Sequence, residues 1–287
     1  MSYFHLNLIL KGKLTVCCLL MLPAIPLNAQ REAKQIGDFK ESISLNEHLR
    51  GTKRTLQYRP DGDEFVCVNG KNRYTRALYG SHSPFRVETS DRPVFAFYNN
   101  GRGGNISFKV ILRDGTELAL DCTGHCESRY SAGKRTYYLT DPSWGKGELR
   151  ISVLALADMD GAIWRFSPSN MPKGAILRWQ HGGATGKRLS RNGDMGVDPA
   201  DCFELPVEAT DLVTGELPLQ KEVYLVRGEV PEDYNVRKLY QQAEAASLAL
   251  ASHLKIETPD PYLNTLGGAL VAAADGIWDG QVWLHGA

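Results

Sequence analysis

Glu148-Leu-Arg-Ile-Ser-Val-Leu-Ala-Leu-Ala157, Asp158-Met-Asp-Gly161 and Ala162-Ile-Trp-Arg-Phe166 form one continuous stretch whose reading decides the fold class. Leu149, Ile151 and Val153 alternate with Arg150 and Ser152, the period of two that a half-buried strand requires. Asp160-Gly161 supplies the positive φ angles a tight hairpin wants, so the stretch reads as two antiparallel strands joined by a short turn. A second hairpin is read at Asn105 to Leu112, Arg113-Asp-Gly-Thr116 and Glu117 to Asp121.

Working outward, further strands are expected at 65–68, 75–79, 94–98, 135–139, 175–180, 203–208 and 222–227. No helical period of useful length interrupts them, and parallel pairs need long crossovers, so the chain is read as a mainly β protein built on an antiparallel β-sandwich. His181-Gly-Gly-Ala-Thr-Gly-Lys187 lacks the spacing of a phosphate-binding loop and carries Arg188 where that motif has Ser or Thr; it is read as a glycine-rich loop between strands. Asn99-Asn100-Gly101-Arg102-Gly103-Gly104 is read as a hairpin loop.

At Pro231 the pattern changes. Val236, Leu239, Tyr240, Ala243, Ser247, Leu250, Ala251 and Leu254 recur at helical spacing, about five turns of an amphipathic helix by the 3.6-residue period. Thr258-Pro-Asp-Pro261 ends it, and Asp260 and Pro261 are a good N-cap and first residue for a second helix. Leu263, Leu266, Leu270, Val271, Ala274, Ile277 and Trp278 form its expected apolar stripe. Gly267-Gly268 weakens such a helix by about 1 kcal/mol per glycine, a cost best understood if another helix packs closely there.

The N-terminus carries Lys11 and Lys13, an apolar run from Leu14 to Leu22, and a small-residue site ending at Ala29, which reads as a secretory signal peptide over 1–29. The apolar run is shorter than a spanning helix, so no membrane association is expected after cleavage and the location is read as periplasmic or secreted. Removing the leader takes away two lysines and no acids, leaving 31 Lys and Arg against 33 Asp and Glu, a net −2. Such a chain, without a basic block, is not built for nucleic acid. The remaining boundaries are a charged tether at 30–53, the sandwich at 54–229, a helical linker at 230–259 and a new helical region at 260–287. Cys67, Cys122, Cys126 and Cys202 survive cleavage and allow three pairings that sequence cannot separate. Cys122, His125 and Cys126 lack the Cys-x-x-Cys hook of a zinc site, so neither a metal nor another cofactor is expected.

Two segments mix residues suited to sugars. Arg73, Arg76 and Tyr79 follow the Asn69-Gly70 turn, and arginine forks with tyrosine rings can grip a sugar ring and its carboxylate. Trp278, Asp279, Gln281, Trp283 and His285 interleave indoles, which offer flat apolar faces to sugar C–H groups, with groups that bind hydroxyls; Asp279 can also serve as acid or base. The same residues read equally as core aromatics and a turn cap.

Thr55-Leu-Gln-Tyr-Arg-Pro-Asp-Gly62, Asn72-Arg-Tyr-Thr-Arg-Ala-Leu-Tyr-Gly80 and the run from Tyr262 to Trp278, together with the leader, resemble a secreted bacterial family of six-hairpin glycosidase-like proteins from polysaccharide degraders. The resemblance implies an N-terminal β-sandwich, a helical linker and an (α/α)6 toroid, of which only the first helix and its following loop fall within the 287 residues. It implies a carbohydrate substrate and, in a full-length protein, glycoside hydrolysis by acid/base chemistry, with Asp279 as the catalytic candidate and Trp278, Gln281, Trp283, His285, Arg73, Arg76 and Tyr79 as substrate contacts; the portion present is expected to be inactive alone. The alternative is a non-catalytic sandwich that binds glycan or packs against another domain.

Overall fold

A computed structural model describes residues 57–80, 85–99, 102–188, 212–278 and 280–283. The sheets are built from β1 (Arg59–Asp61), β2 (Glu64–Val68), β3 (Arg76–Tyr79), β4 (Arg86–Thr89), β5 (Phe95–Asn99), β6 (Arg102–Ile111) and β7 (Glu117–Ala119). They continue through β8 (His125–Ser131), β9 (Lys134–Thr140), β10 (Glu148–Ala155), β11 (Gly161–Ser169), β12 (Ile176–Arg188), β13 (Val213–Pro218) and β14 (Val223–Gly228). Two helices follow, α1 (Val236–Ala251) and α2 (Pro261–Gly276). The first sheet runs β1-β2-β8-β9-β10-β11-β14 and the second β13-β12-β6-β5-β4-β3, with β7 added beside β6. Every pairing is antiparallel. The chain is thus mainly β, with two antiparallel sheets facing each other across one apolar core.

That core is where the alternation leads. Leu149, Ile151 and Val153 of β10 are fully buried, and Trp164 and Phe166 of β11 join them from the same sheet. Phe95, Phe97 and Phe108 come from the second sheet, and the rings meet edge to face: Trp164 lies 5.7 Å from both Phe95 and Phe97, and Phe108 lies 5.2 Å from Phe166. Aromatic pairs of this geometry contribute about 0.5–1.5 kcal/mol each beyond the area they bury.

Both expected hairpins form, β10 with β11 and β6 with β7. The reason for Gly161 differs from the expected one. It is not among the positive-φ residues; instead a Cβ there would stand 3.0 Å from the Arg227 carbonyl and 3.0 Å from Leu156 Cδ1, so the glycine admits β14 alongside. The glycine-rich segment after His181 is strand, not loop: Gly182 pairs with Asn105 and Gly183 with Gly104 before the register shifts to Arg188 opposite Arg102. Gly103 and Gly104 likewise belong to β6 rather than to a loop. The strand expected at 203–208 lies outside the described residues. Strands β1, β4, β8 and β13 had no expectation. β8 buries Cys126, Ser128 and Tyr130 on alternate positions, a period of burial that hydrophobicity does not mirror. The described cysteines, Cys67, Cys122 and Cys126, are free thiols, the first and last buried.

The helices begin as their caps dictate. Asn235 accepts a hydrogen bond from Lys238 N, and Asp260 from Tyr262 N with Pro261 in the first turn. Leu239, Tyr240 and Ala243 of α1 pack on Leu154, Leu156 and Ile163 of the first sheet's outer face. α2 buries only part of the expected stripe. Leu266 packs against the core and Val271, Ile277 and Trp278 are half-buried, but Thr265, Gly267 and Ala272 are the buried residues while Leu263 and Leu270 remain 46% and 47% exposed. The glycines explain the shift: a Cβ on Gly267 would stand 2.9 Å from the Leu254 carbonyl, and one on Gly268 3.2 Å from Ala251 Cβ, so only a face without side chains lets α2 approach the end of α1. Close helix packing at Gly267-Gly268 was the expectation. None of the described helices is long and apolar enough to cross a membrane.

At its far end α2 rests on β3, where a Cβ on Gly276 would fall within the Tyr79 ring. Gly276→Ala is therefore expected to destabilise the protein by about 1–3 kcal/mol, as overpacking does. In a denaturation cycle with Tyr79→Ala the double variant should lose less than the sum of the singles; strict additivity would mean the two do not touch.

Candidate functional site

The turn from Asn69 to Thr75 is shaped by two non-glycine residues at positive φ, Asn69 (50°) and Tyr74 (52°), a conformation that must be held by its surroundings. The holding group is Asp91. Its carboxylate accepts hydrogen bonds from the Tyr58 hydroxyl, from Asn72 N at 2.9 Å and from the Thr75 hydroxyl at 3.4 Å, and it lies 3.7 Å from Arg135 Nη2. Both side chains of that charge pair are buried, at 0% and 1% exposure. Arg135 also donates to Ser128 Oγ at 3.0 Å and the Ser90 carbonyl at 3.3 Å, and the Tyr137 hydroxyl donates to the same carbonyl at 2.8 Å. A Cβ on Gly70 would collide with Asp91, which is why the turn passes over the carboxylate at a glycine. Asn69 closes the other side, accepting from Cys126 N at 2.9 Å and donating its own N to the Cys126 carbonyl at 2.8 Å.

Burial sets the protonation chemistry of this knot. Desolvation raises the Tyr58 hydroxyl above its ordinary value, with the neighbouring Asp91 adding to the rise. It also pushes the Cys126 thiol up to about 12, so this cysteine is a packed thiol rather than a nucleophile.

Beside the turn opens a groove of about 440 Å3 lined by Lys71, Asn72, Arg73, Ser90, Arg92, Asn105, Ser107, Lys109 and Asp121, among others. Four cations thus stand against one carboxylate. Arg92 is anchored, donating to the carbonyls of Asp121 at 3.0 Å and Thr123 at 2.8 Å. Lys109 lies 3.5 Å from Glu117. Arg73 lies 5.1 Å from the centre of the Tyr74 ring and donates to its hydroxyl at 3.1 Å. Asn105 is buried in the groove wall.

The residues singled out from sequence fall in three places. Arg73 lines the groove. Arg76 turns away from it, 5.9 Å from the Tyr58 ring and 5.6 Å from that of Tyr130. Tyr79 sits at the other end of β3 against Gly276, where with Asp275 it borders a small cleft of about 150 Å3. Its hydroxyl is raised by burial and by nearby Glu88. Trp278 and Trp283 form an isolated antiparallel bridge with their rings 4.6 Å apart, and Trp283 Nε1 donates to the Ala274 carbonyl at 3.1 Å. Trp283 stays 66% exposed, and Gln281 is exposed beside it. Asp279 and His285 lie outside the described residues. Tyr79 and the tryptophan turn are thereby brought to one end of α2, while Arg73 and Arg76 are not.

A family model described as a domain of unknown function (DUF4450) matches residues 100–230. The match runs from the start of β6 to just past β14 and leaves out β1 to β5 and both helices. No curated protein matches the chain.

Sequence reasoning missed Lys71, Arg92, Asn105 and Lys109. They lie up to 38 positions apart, and the signal that unites them is the pairing of β5 with β6, which no local pattern announces. It also missed the buried pair Arg86 and Glu88, 2.8 Å apart on adjacent outward positions of β4, with Tyr98 stacked 4.5 Å from Arg86.

Two outcomes follow for stability. Asp91→Ala leaves Arg135 buried without its counter-charge, and a loss of about 3–5 kcal/mol is expected in chemical denaturation. Glu88 is raised above its ordinary value of 4.5 by desolvation, which outweighs the opposing attraction of Arg86. A raised carboxylate contributes stability that is present below the unfolded value and lost as pH climbs through the folded one. The denaturation midpoint should accordingly fall as pH rises from near 4.5, and Glu88→Gln should flatten that slope. A slope unchanged by the substitution would show that Glu88 is not its source.

Proposed function

We propose that this chain is the glycan-contacting portion of an exported carbohydrate-active protein, and that the sandwich holds an acidic sugar in the groove beside the Asn69–Thr75 turn. The observation that carries the reading is the convergence of Lys71, Arg73, Arg92 and Lys109 on one groove with a single carboxylate, Asp121, among the lining residues. Cations of this density favour an anion, and Asn105, Ser90 and Ser107 add neutral hydrogen-bonding groups of the kind that bind sugar hydroxyls. A uronic acid has both features. Export is read from the leader at 1–29, and the sugar class rests on the resemblance noted above.

A wider reading makes this module the N-terminal part of a glycoside hydrolase, with Asp279 as its acid or base and Trp278, Gln281, Trp283 and His285 around the sugar. What favours it is the outward stripe of α2: Leu263 and Leu270 are exposed on a helix whose other face is already packed, the surface a further helix would cover. The toroid belongs to this reading. Fold likeness alone does not specify the reaction. The two carboxylates most deeply buried in the sandwich, Asp91 and Glu88, are each engaged by an arginine, Arg135 and Arg86, and so support binding rather than turnover there.

Affinity electrophoresis in gels containing polygalacturonate or neutral galactan tests the binding form. The mature chain should be retarded by the acidic polymer and not by the neutral one, and raising the salt should release it as screening grows. Arg73→Ala and Lys109→Ala should each weaken the retardation about tenfold, the scale of one charge-assisted contact. Equal retardation by both polymers would sink the acidic-sugar reading, and release of reducing ends by the mature chain alone would replace it with a catalytic one.

A further inference from the structure

The outer face of the first sheet presents a regular array fixed by strand register. Tyr138, Arg150 and Ser167 stand side by side in one row across β9, β10 and β11, and Thr136, Ser152 and Arg165 in the next. Such neighbours are about 5 Å apart, so the two arginines sit diagonally on adjacent strands, close enough to share one small ligand. Both guanidiniums lie over aromatic rings: the central carbon of Arg150 is 5.4 Å from the centre of the Tyr138 ring and that of Arg165 4.4 Å from that of Tyr240. A concavity of about 530 Å3 opens over the first row and the end of the sheet, bordered by Glu127, Tyr138, Thr140, Glu148, Arg150 and Ser167, with Arg165 one row beyond its lining. That size is within the range of small-molecule sites.

Among the described residues Arg150 and Arg165 make no ion pair and donate no hydrogen bond, and the Nε of each is buried without an acceptor. The acids of this face are engaged elsewhere. Glu127 is held by Arg129 at 2.6 Å, Glu222 accepts from the Tyr224 and Ser167 hydroxyls, and Glu244 of α1 is held by Lys134 at 3.0 Å. Glu148, the next outward residue of β10, forms no ion pair with Arg150. Arg129, by contrast, is given three acids, Asp61, Glu64 and Glu127. Buried donors without acceptors are rare in folded proteins and mark places where a missing group belongs.

We propose that Arg150 and Arg165 form a second anion-binding site, taking the carboxylate of an acidic sugar residue while Tyr138, Thr140 and Ser167 beside them meet the ring. A carboxylate matches a guanidinium fork in plane and spacing, and two forks on adjacent strands accept one carboxylate from two directions. This inference rests on the acidic-glycan reading above but uses the opposite sheet. The sandwich then grips one polymer on both outer faces, so that affinity for a long chain exceeds affinity for a short one through effective concentration alone.

The experiment is calorimetric titration of the mature chain with tetragalacturonate, with its fully methyl-esterified form, and with tetraglutamate as a peptide of matched charge. The native chain is expected to take up two tetragalacturonate molecules. R73A/K109A should leave one, R150Q/R165Q should leave one, and the combination of all four should leave none. R150K/R165K, which keeps the charge and loses the fork, should bind about tenfold more weakly than the native site. Melting of each variant close to that of the native chain keeps a lost site distinct from a lost fold. A titration of R150Q/R165Q indistinguishable from the native one overturns the second site and leaves the groove reading intact; loss of both sites in R73A/K109A overturns their independence. Equal uptake of the ester excludes carboxylate recognition, equal uptake of tetraglutamate excludes a sugar-specific site, and no uptake of any probe overturns both readings.

Discussion

Asp91 and Arg135 are a charge pair sealed between two sheets, and the molecule is organised around the need to satisfy them. Removing two ions from water is costly, and their attraction offsets that cost only when the remaining donors and acceptors are matched. Here Tyr58, Asn72 N, Thr75, Ser90 and Ser128 supply the matching groups. They come from four separate places in the chain: the approach to β1, the turn before β3, the turn after β4, and β8. One polar knot therefore ties the edge of the first sheet to the second, and the apolar core beneath supplies most of the burial while the knot supplies the register.

The groove is a by-product of that constraint. To pass over Asp91 the chain uses Gly70 and then two residues at positive φ, which throws Lys71, Asn72 and Arg73 outward beside β5 and β6. Arg92 follows directly after Asp91 and is tethered by the carbonyls near Cys122. The cations are placed by a rigid turn and the sheet, not by a free loop, and that rigidity limits the entropy lost when a ligand is ordered against them.

Several features were legible before any coordinates. The strand from Glu148 and its partner were visible because alternation is a property of neighbours in sequence, and both helices were visible because Asn235 and Asp260 cap their own backbone within three residues. β4 was not legible. Its four residues, Arg86, Val87, Glu88 and Thr89, are all buried, with an arginine and a glutamate on one side, so polarity gave no sign of burial. α2 was read correctly as a helix and only partly as to its face: Leu266 packs inward, while Leu263 and Leu270, which a stripe of leucines would normally bury, stay exposed. A hydrophobic pattern measures what a face can gain; it does not measure how near another helix must come, and Gly267, Gly268 and Gly276 show that close approach prevailed. Of the candidate site, Arg73 alone was anticipated in the groove, because its companions lie on other strands.

The sequence by itself determined the class of the fold, the antiparallel hairpins and the capped starts of the two helices, since each depends on hydrogen bonds and side-chain periods that close within a few residues. Only the tertiary structure decided which face of α2 is covered, which carboxylates are spent on arginines, and which arginines, Arg150 and Arg165, are left with none among the described residues. Those outcomes depend on groups brought together from distant segments, where a charge finds a partner through strand register and packing rather than through spacing along the chain.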